Sequence, residues 1–295
     1  MAGNTNSSSA DAEFKSASGT LKARRAVCYV VLVIISILCL FWFYMLFINA
    51  TRSNDELGQG FTLLPSSHLG ENLKNIFNNG TIPIVSGMAN SVIIAALTAL
   101  LSTYFSTMTA YSIQVYNYKG KKAIFTFILA IMMIPTQVSA LGFVNLVKGM
   151  NLEDNFIPLI VPSIAAPITF FYLKQYMAAN LPLSLIEAAR IDGEHEIGIF
   201  NKIALPLMIP AIAVQAIFTF VSSWNNYFTP ALILHDSSKK TLPILIAQLR
   251  NADFLKFDMG QVYAMIAFSI FPVIVVYLFL SKYIVGGVTA GGVKE

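Results

Sequence analysis

AVCYVVLVIISILCLFWFYMLFINAT, residues 26–51, contains no Asp, Glu, Lys or Arg. Five further stretches are equally free of charge: 82–118, 123–147, 155–173, 203–235 and 259–281. A helix needs roughly 20 apolar residues to cross the hydrocarbon core of a bilayer, and each stretch is long enough or nearly so. The sequence therefore predicts an all-α membrane protein with six transmembrane helices. Runs 82–118 and 203–235 exceed the minimum, which leaves room for tilt, a bend or extension past the bilayer. Composition agrees: 56% of residues are hydrophobic and 12% charged, whereas about a quarter are charged in soluble domains.

The first run is longer than the core of about 7 to 15 residues found in a secretory signal, and Asn49-Ala50-Thr51 offers no small-residue cleavage pattern. It is expected to remain as helix 1 over 26–49. Ahead of it, residues 1–25 carry little apolar surface to offset the entropy of ordering and predict a disordered tail. Between helices 1 and 2, Leu69, Leu73, Ile76 and Phe77 form an apolar stripe at helical spacing, so 50–81 is expected to hold a short surface helix. The membrane core then occupies 82–285, and the glycine-rich 286–295 forms a tail. Cys28 and Cys39 lie far apart along one helix and cannot bridge within it. No His or Cys cluster has metal-ligand spacing, and neither a cofactor nor a nucleic-acid partner is implied.

A cytoplasmic N-terminus places Lys22, Arg24, Arg25, Lys119, Lys121 and Lys122 on the inner side, as the positive-inside rule prefers. The chain is thus expected to be multi-pass in a cytoplasmic membrane, with both termini cytoplasmic and membrane lipid around it.

One inner loop differs from the others. Pro182 opens a helical run, Leu183 to Ile191, which Asp192-Gly193 can close because glycine adopts the left-handed conformation at low cost. Helix restarts after Glu194 and bends at Pro206 and Pro210, giving a hairpin over 182–203. The membrane runs hold no acidic residue of the kind that couples transport to an ion gradient. There is no phosphate-binding G-x-x-x-x-G-K-[ST] loop either. If this chain pumps, energy must come from a partner, and the hairpin is the feature shaped to receive it.

The hairpin string Glu187-Ala188-Ala189-Arg190-Ile191-Asp192-Gly193, followed by Ile203-Ala204-Leu205-Pro206, resembles the signature loop of bacterial ABC importer permeases. Asn90-Ser91, Ala110-Tyr111, Ile134-Pro135, Trp224-Asn225 and Thr241-Leu242-Pro243 are similar to the carbohydrate branch, in particular the second permease of the maltose transporter family. The resemblance implies a type I ABC importer permease fold and no catalytic residue. It implies partners as well: a homologous permease, a pair of ATP-binding-cassette ATPase subunits, and an extracellular solute-binding lipoprotein or periplasmic binding protein. The residues it assigns to ATPase coupling are Glu187, Ala188, Ala189, Arg190, Asp192, Gly193, Ile203, Leu205 and Pro206. Leu185, Ala188 and Ala189 are expected on one docking face, with Glu187 and Arg190 free for polar contacts across the joint. Glu194-His195 departs from the small residues usual after the glycine.

Trp224, Asn225, Asn226 and Tyr227 are candidates for the substrate pathway, since aromatic faces and amides suit sugars. Interhelical packing and interfacial anchoring explain the same residues equally simply. The expected function is translocation of a sugar or oligosaccharide; permeation of another small polar solute, or ion-coupled transport, are the alternatives.

Overall fold

The computed structural model describes residues 6–78, 82–135, 138–250 and 258–291, and no strand occurs among them. In chain order the helices are α1 (Asn6–Ala50), α2 (Asn54–Gly58), α3 (Leu69–Phe77), α4 (Ile84–Val115), α5 (Lys121–Ile131), α6 (Ala140–Gly149), α7 (Ile157–Ile160) and α8 (Pro167–Asn180). Then come α9 (Leu183–Ile191), α10 (Glu196–Ile199), α11 (Leu205–Leu207), α12 (Ile209–Trp224), α13 (Phe228–Ile233), α14 (Leu242–Arg250), α15 (Met259–Ser269) and α16 (Phe271–Gly291).

Four helical segments are long and apolar enough to cross a membrane: Arg24–Ala50, Ile84–Val115, Ile157–Asn180 and Met259–Ile284. A fifth is Glu196–Leu207 joined to Ile209–Trp224 across a bend of 79°. The run at 123–147, expected as one crossing, is instead two short helices, α5 and α6. Pro135 lies between them; it lacks an amide hydrogen and steers the residue before it away from helical angles, so a continuous helix cannot pass through. Residues 6–25, expected as an unfolded tail, continue α1. Extending an existing helix needs no new nucleus, and the Ala and Lys of this stretch favour it. At the other end α16 runs through the glycines to Gly291, and the last tail residues lie outside the described part.

α4 is the axis of the fold. Ser91, Ala95, Ala99, Ser102, Ser106 and Ala110 recur every three or four residues and are all buried, so one side of this helix is small enough for close approach of its neighbours. α12 and α8 pack along it. Two of its buried hydroxyls are satisfied within the helix: Thr103 donates to the Ala99 carbonyl at 2.7 Å and Thr107 to that of Thr103 at 2.6 Å.

Apolar packing gathers at opposite ends of this axis. At one end Ala95, Ala99, Phe220, Trp224, Leu242, Leu245 and Met265 form a core. Ile76 of α3 joins it, so the short helix expected from the 69–77 stripe is braced by burial of Ile76 and Asn72. Asn72 also donates to the Ala50 and Arg52 carbonyls at 3.0 and 2.9 Å. At the other end Tyr111, Phe170, Leu173, Met177, Ile186, Ile199, Phe200 and Met208 pack together. By contrast Val30, Leu32, Ile34, Leu38 and Leu40 of α1 are more than half exposed, the surface of a helix that meets lipid or another membrane chain rather than water.

Candidate functional site: a docking hairpin and a hydroxyl-lined cleft

Leu181, buried in the hairpin-end core, leads into Pro182 and α9. α9 stops in a Schellman arrangement: the Gly193 amide donates to the Arg190 carbonyl at 3.1 Å and the Glu194 amide to that of Ala189 at 3.0 Å. Gly193 sits at φ +79°, where a side chain would be strained. This is the turn the sequence predicts.

The faces of α9 differ from the expected assignment. Ile186 and Ala189 are the buried pair, 1% and 7% exposed. They point into the hairpin-end core, so Ala189 leaves the face shared by Leu185 and Ala188. The outward side carries Leu185, Glu187, Ala188, Ile191 and Asp192. Ile191 is 87% exposed, an apolar tip that the sequence reading did not single out, although its place just before Asp192-Gly193 puts it at the apex of the turn. Ile203 and Leu205 are half-buried against the same core, and Pro206 is exposed beside the bend.

Arg190 is not free, as the sequence reading had it. Its Nε donates to Glu196 Oε1 at 2.7 Å, and that bond raises the guanidinium's pKa above its ordinary value. Burial, and then the bond to Glu196, pushes the Tyr116 phenol above its usual value, so it stays a donor. Glu194, the departure from the family pattern, pairs with Lys202 at 3.1 Å and His195 at 3.3 Å. Its carboxylate occupies the space that a Cβ on residue 198 would need, which is why glycine suits that position.

Deeper in the bundle lies a cleft of about 430 Å³ between α4, α8 and α12. Thr98, Ser102, Thr169, Gln215, Ser222 and Asn226 supply much of its wall. It continues towards Ser91, Ser163 and Thr241. Among the described residues, no Asp, Glu, Lys or Arg lines either part. Ser102 donates to Thr169 Oγ1 at 3.3 Å, whereas the buried hydroxyls of Thr98 and Thr241 have no partner among the described residues. A buried hydroxyl without a partner is costly, and both belong to residues of the cleft wall.

Of the four pathway candidates, Asn226 alone lines this cleft. Trp224 is 4% exposed and stacks on Phe220 at 5.9 Å, a packing position. Asn225 is exposed, and Tyr227 borders a separate groove with His235 and Lys240. The sequence reading missed Thr98, Ser102, Thr169 and Gln215. Their signal was available: all four are polar side chains inside charge-free runs, and Thr98 and Ser102 lie one turn apart on α4.

At the end away from the hairpin, two motifs singled out in the sequence meet. Ser91 Oγ accepts the Leu242 amide at 2.8 Å, and Asn90 donates to the Ser238 and Lys240 carbonyls at 2.9 and 3.1 Å. Asp154 Oδ1 takes the His235 and Asp236 amides at 2.6 and 2.7 Å. Those amides, that of Asp236 foremost, hold its carboxyl below the usual range. Residues 251–257 lie outside the described part.

The family of binding-protein-dependent transport system inner membrane components matches residues 102–289. The arabinooligosaccharides transport system permease protein AraQ of Bacillus subtilis (strain 168) is 36% identical over 266 residues, covering 88% of this chain and 92% of that one. The sn-glycerol-3-phosphate transport system permease protein UgpE of Yersinia pestis bv. Antiqua (strain Antiqua) is 29% identical, covering 88% and 94%. In fold, the chain is similar to one in the crystal structure of a bacterial ABC transporter involved in import of the acidic polysaccharide alginate, with a TM-score of 0.74, 22% identity and coverage of 89% and 96%. With apolar helical spans on an axial helix, a docking-shaped hairpin and this match across most of its length, the chain belongs to the binding-protein-dependent transport system inner membrane components.

Proposed function

We propose that this chain is half of the membrane pore of an ATP-driven oligosaccharide importer, with a homologous permease as the other half. A pair of ATPase subunits docks on α9, and an extracellular binding protein delivers the solute. The observation that carries this reading is the hairpin. Ile186 and Ala189 root it in the bundle while Leu185, Glu187, Ala188 and Ile191 face outward, so a partner gripping the tip moves the helices beneath it as a body.

The solute assignment rests on the cleft, where hydroxyls and amides without a formal charge suit a neutral polyhydroxyl compound. Six crossings follow if α5 and α6 together make the third, which returns the chain to the hairpin side before α9. Both termini are then cytoplasmic, consistent with the basic residues around 22–25 and 119–122.

A thousandfold gradient of a neutral sugar costs about 4 kcal/mol, and nothing in this chain supplies it. Reconstituted vesicles test the reading with the chain alone, with the second permease, and with permease, ATPase and binding protein together. Accumulation is expected only in the complete set, with ATP on the side of α9. A Gly193→Pro variant is expected to insert normally and fail to import. Concentrative uptake by the chain alone on a proton or sodium gradient would overturn the proposal. In a panel of arabino-oligosaccharides, glycerol 3-phosphate and alginate oligosaccharides, a preference for the anionic solutes would overturn the solute assignment.

A further inference from the structure

Glu196 opens α10, on the arm returning from the hairpin tip, yet its carboxylate is engaged entirely with other parts of the chain. Oε1 accepts Arg190 Nε of α9 at 2.7 Å. Oε2 accepts the Tyr116 hydroxyl at 2.6 Å and the Tyr111 hydroxyl at 3.4 Å, both from the hairpin end of α4. The Arg190 guanidinium also lies 5.5 Å from the centre of the Tyr116 ring, so one tyrosine touches both members of the ion pair. Lys121 in turn donates to the Tyr116 carbonyl at 2.9 Å and steadies that residue.

These bonds do what the surrounding apolar contacts cannot. Phe200 meets Tyr104 and Tyr111 with ring centres 5.7 and 5.5 Å apart. Such contacts resist separation of the hairpin from α4, but dispersion is non-directional and permits sliding. Charge-assisted hydrogen bonds are short, stronger and directional, and fix the angle between the two. α4 is also the helix whose Thr98 and Ser102 line the cleft, about 20 and about 14 Å from Tyr111 along the helix at its ordinary rise. A displacement of the hairpin can thus reach the cleft wall without passing through the bend at Met208.

We propose that Glu196 is a positioning residue that makes the hairpin and α4 move as one body, linking the docking face to the cleft wall. The proposal rests on α9 being the docking site. The test uses the complete importer with Cys28 and Cys39 replaced by Ser and spin labels on Ser184→Cys of α9 and Asn117→Cys beyond α4. The distance distribution between the labels is measured at rest and in the complex trapped with MgATP and vanadate, beside ATP hydrolysis with and without binding protein.

With Glu196 intact the distribution stays narrow, with the same mean in both states. Glu196→Ala is expected to broaden it and to cut stimulation by the binding protein about fivefold, the lower end of ordinary allosteric coupling. Glu196→Gln, which keeps an oxygen for Tyr116 but loses the ion pair, should fall between. Adding Tyr116→Phe to Glu196→Ala should change little more, because both act through one link. An unchanged distribution in Glu196→Ala, or a broad one with full stimulation, would overturn the proposal. So would losses that track complex yield and melting temperature across all variants. Ile191→Asp separates the two readings: it should abolish stimulation with a narrow distribution, and if it keeps full stimulation, docking on α9 is the claim that fails.

Discussion

Asp154 shows how much one side chain can determine when its backbone angle and its acceptor act together. It sits at φ +52°, a conformation unfavourable for most residues and tolerated by Asp and Asn. From there one carboxylate oxygen holds two successive amides of the 235–240 segment. Because its folded pKa is lowered, the stabilisation is present above the ordinary carboxylate range and is lost as the pH falls through the folded value, below about 4. Hydrogen exchange at the His235 and Asp236 amides is therefore expected to stay slow from pH 8 to 5 and to accelerate, beyond the intrinsic trend, only below about 4. Asp154→Ala should expose them at neutral pH, while Asp154→Asn, which keeps both the turn and an acceptor, should not. Full protection in Asp154→Ala would show that the segment is held by Asn90 instead.

The residue scale is also where the sequence is least legible. Gly193 could be read directly, since a left-handed turn leaves a glycine in the sequence. Arg190 and Glu196 could not: the tyrosines that donate to Glu196 are 80 and 85 positions away in the chain, and each acid or base viewed alone resembles a solvated surface charge. Trp224-Asn225-Asn226-Tyr227 do not share one surface, for a geometric reason. Consecutive residues at a helix end point about 100° apart, so one turns to the cleft, one into the core and two outward.

At the scale of elements, charge-free runs located the helices because a bilayer penalises charge within its hydrocarbon core, most of all at the centre. Continuity was harder to foresee. Pro135 breaks one run into α5 and α6, while Pro158, Pro162 and Pro167 only segment a crossing that persists from Ile157 to Asn180. Proline near a helix's first turn is tolerated, and the deciding factor is whether neighbours take up the freed backbone groups. The small side of α4 carries its own prediction. Ala99, 7% exposed, should not accept leucine: overfilling so tight a contact costs about 1–3 kcal/mol. Ala99→Leu is expected to lower the melting temperature in detergent, whereas Leu100→Ala, on the outward side at 62% exposure, should have little effect. Equal melting of the two variants would show that α4 and its neighbours are loosely packed.

For the whole molecule, the family and the helical architecture were legible from the sequence, because both depend on pattern rather than on contacts. The number of crossings turns on α5 and α6. Single cysteines in a background without Cys28 and Cys39 settle it: Lys119→Cys and Asp192→Cys should react with an impermeant thiol reagent from one side, and Glu153→Cys and Asp236→Cys from the other. Labelling of Glu153→Cys from the Lys119 side would make α5 and α6 a re-entrant pair and reduce the crossings accordingly.

The 79° bend between Glu196–Leu207 and Ile209–Trp224 gives the molecule the shape of a bell crank. Met208, fully enclosed, sits at its elbow. The arms are about 18 and about 24 Å long at the helical rise. Any rigid rotation about that elbow sweeps the Trp224 end through roughly a third more travel than the Glu196 end, in a direction turned by nearly a right angle.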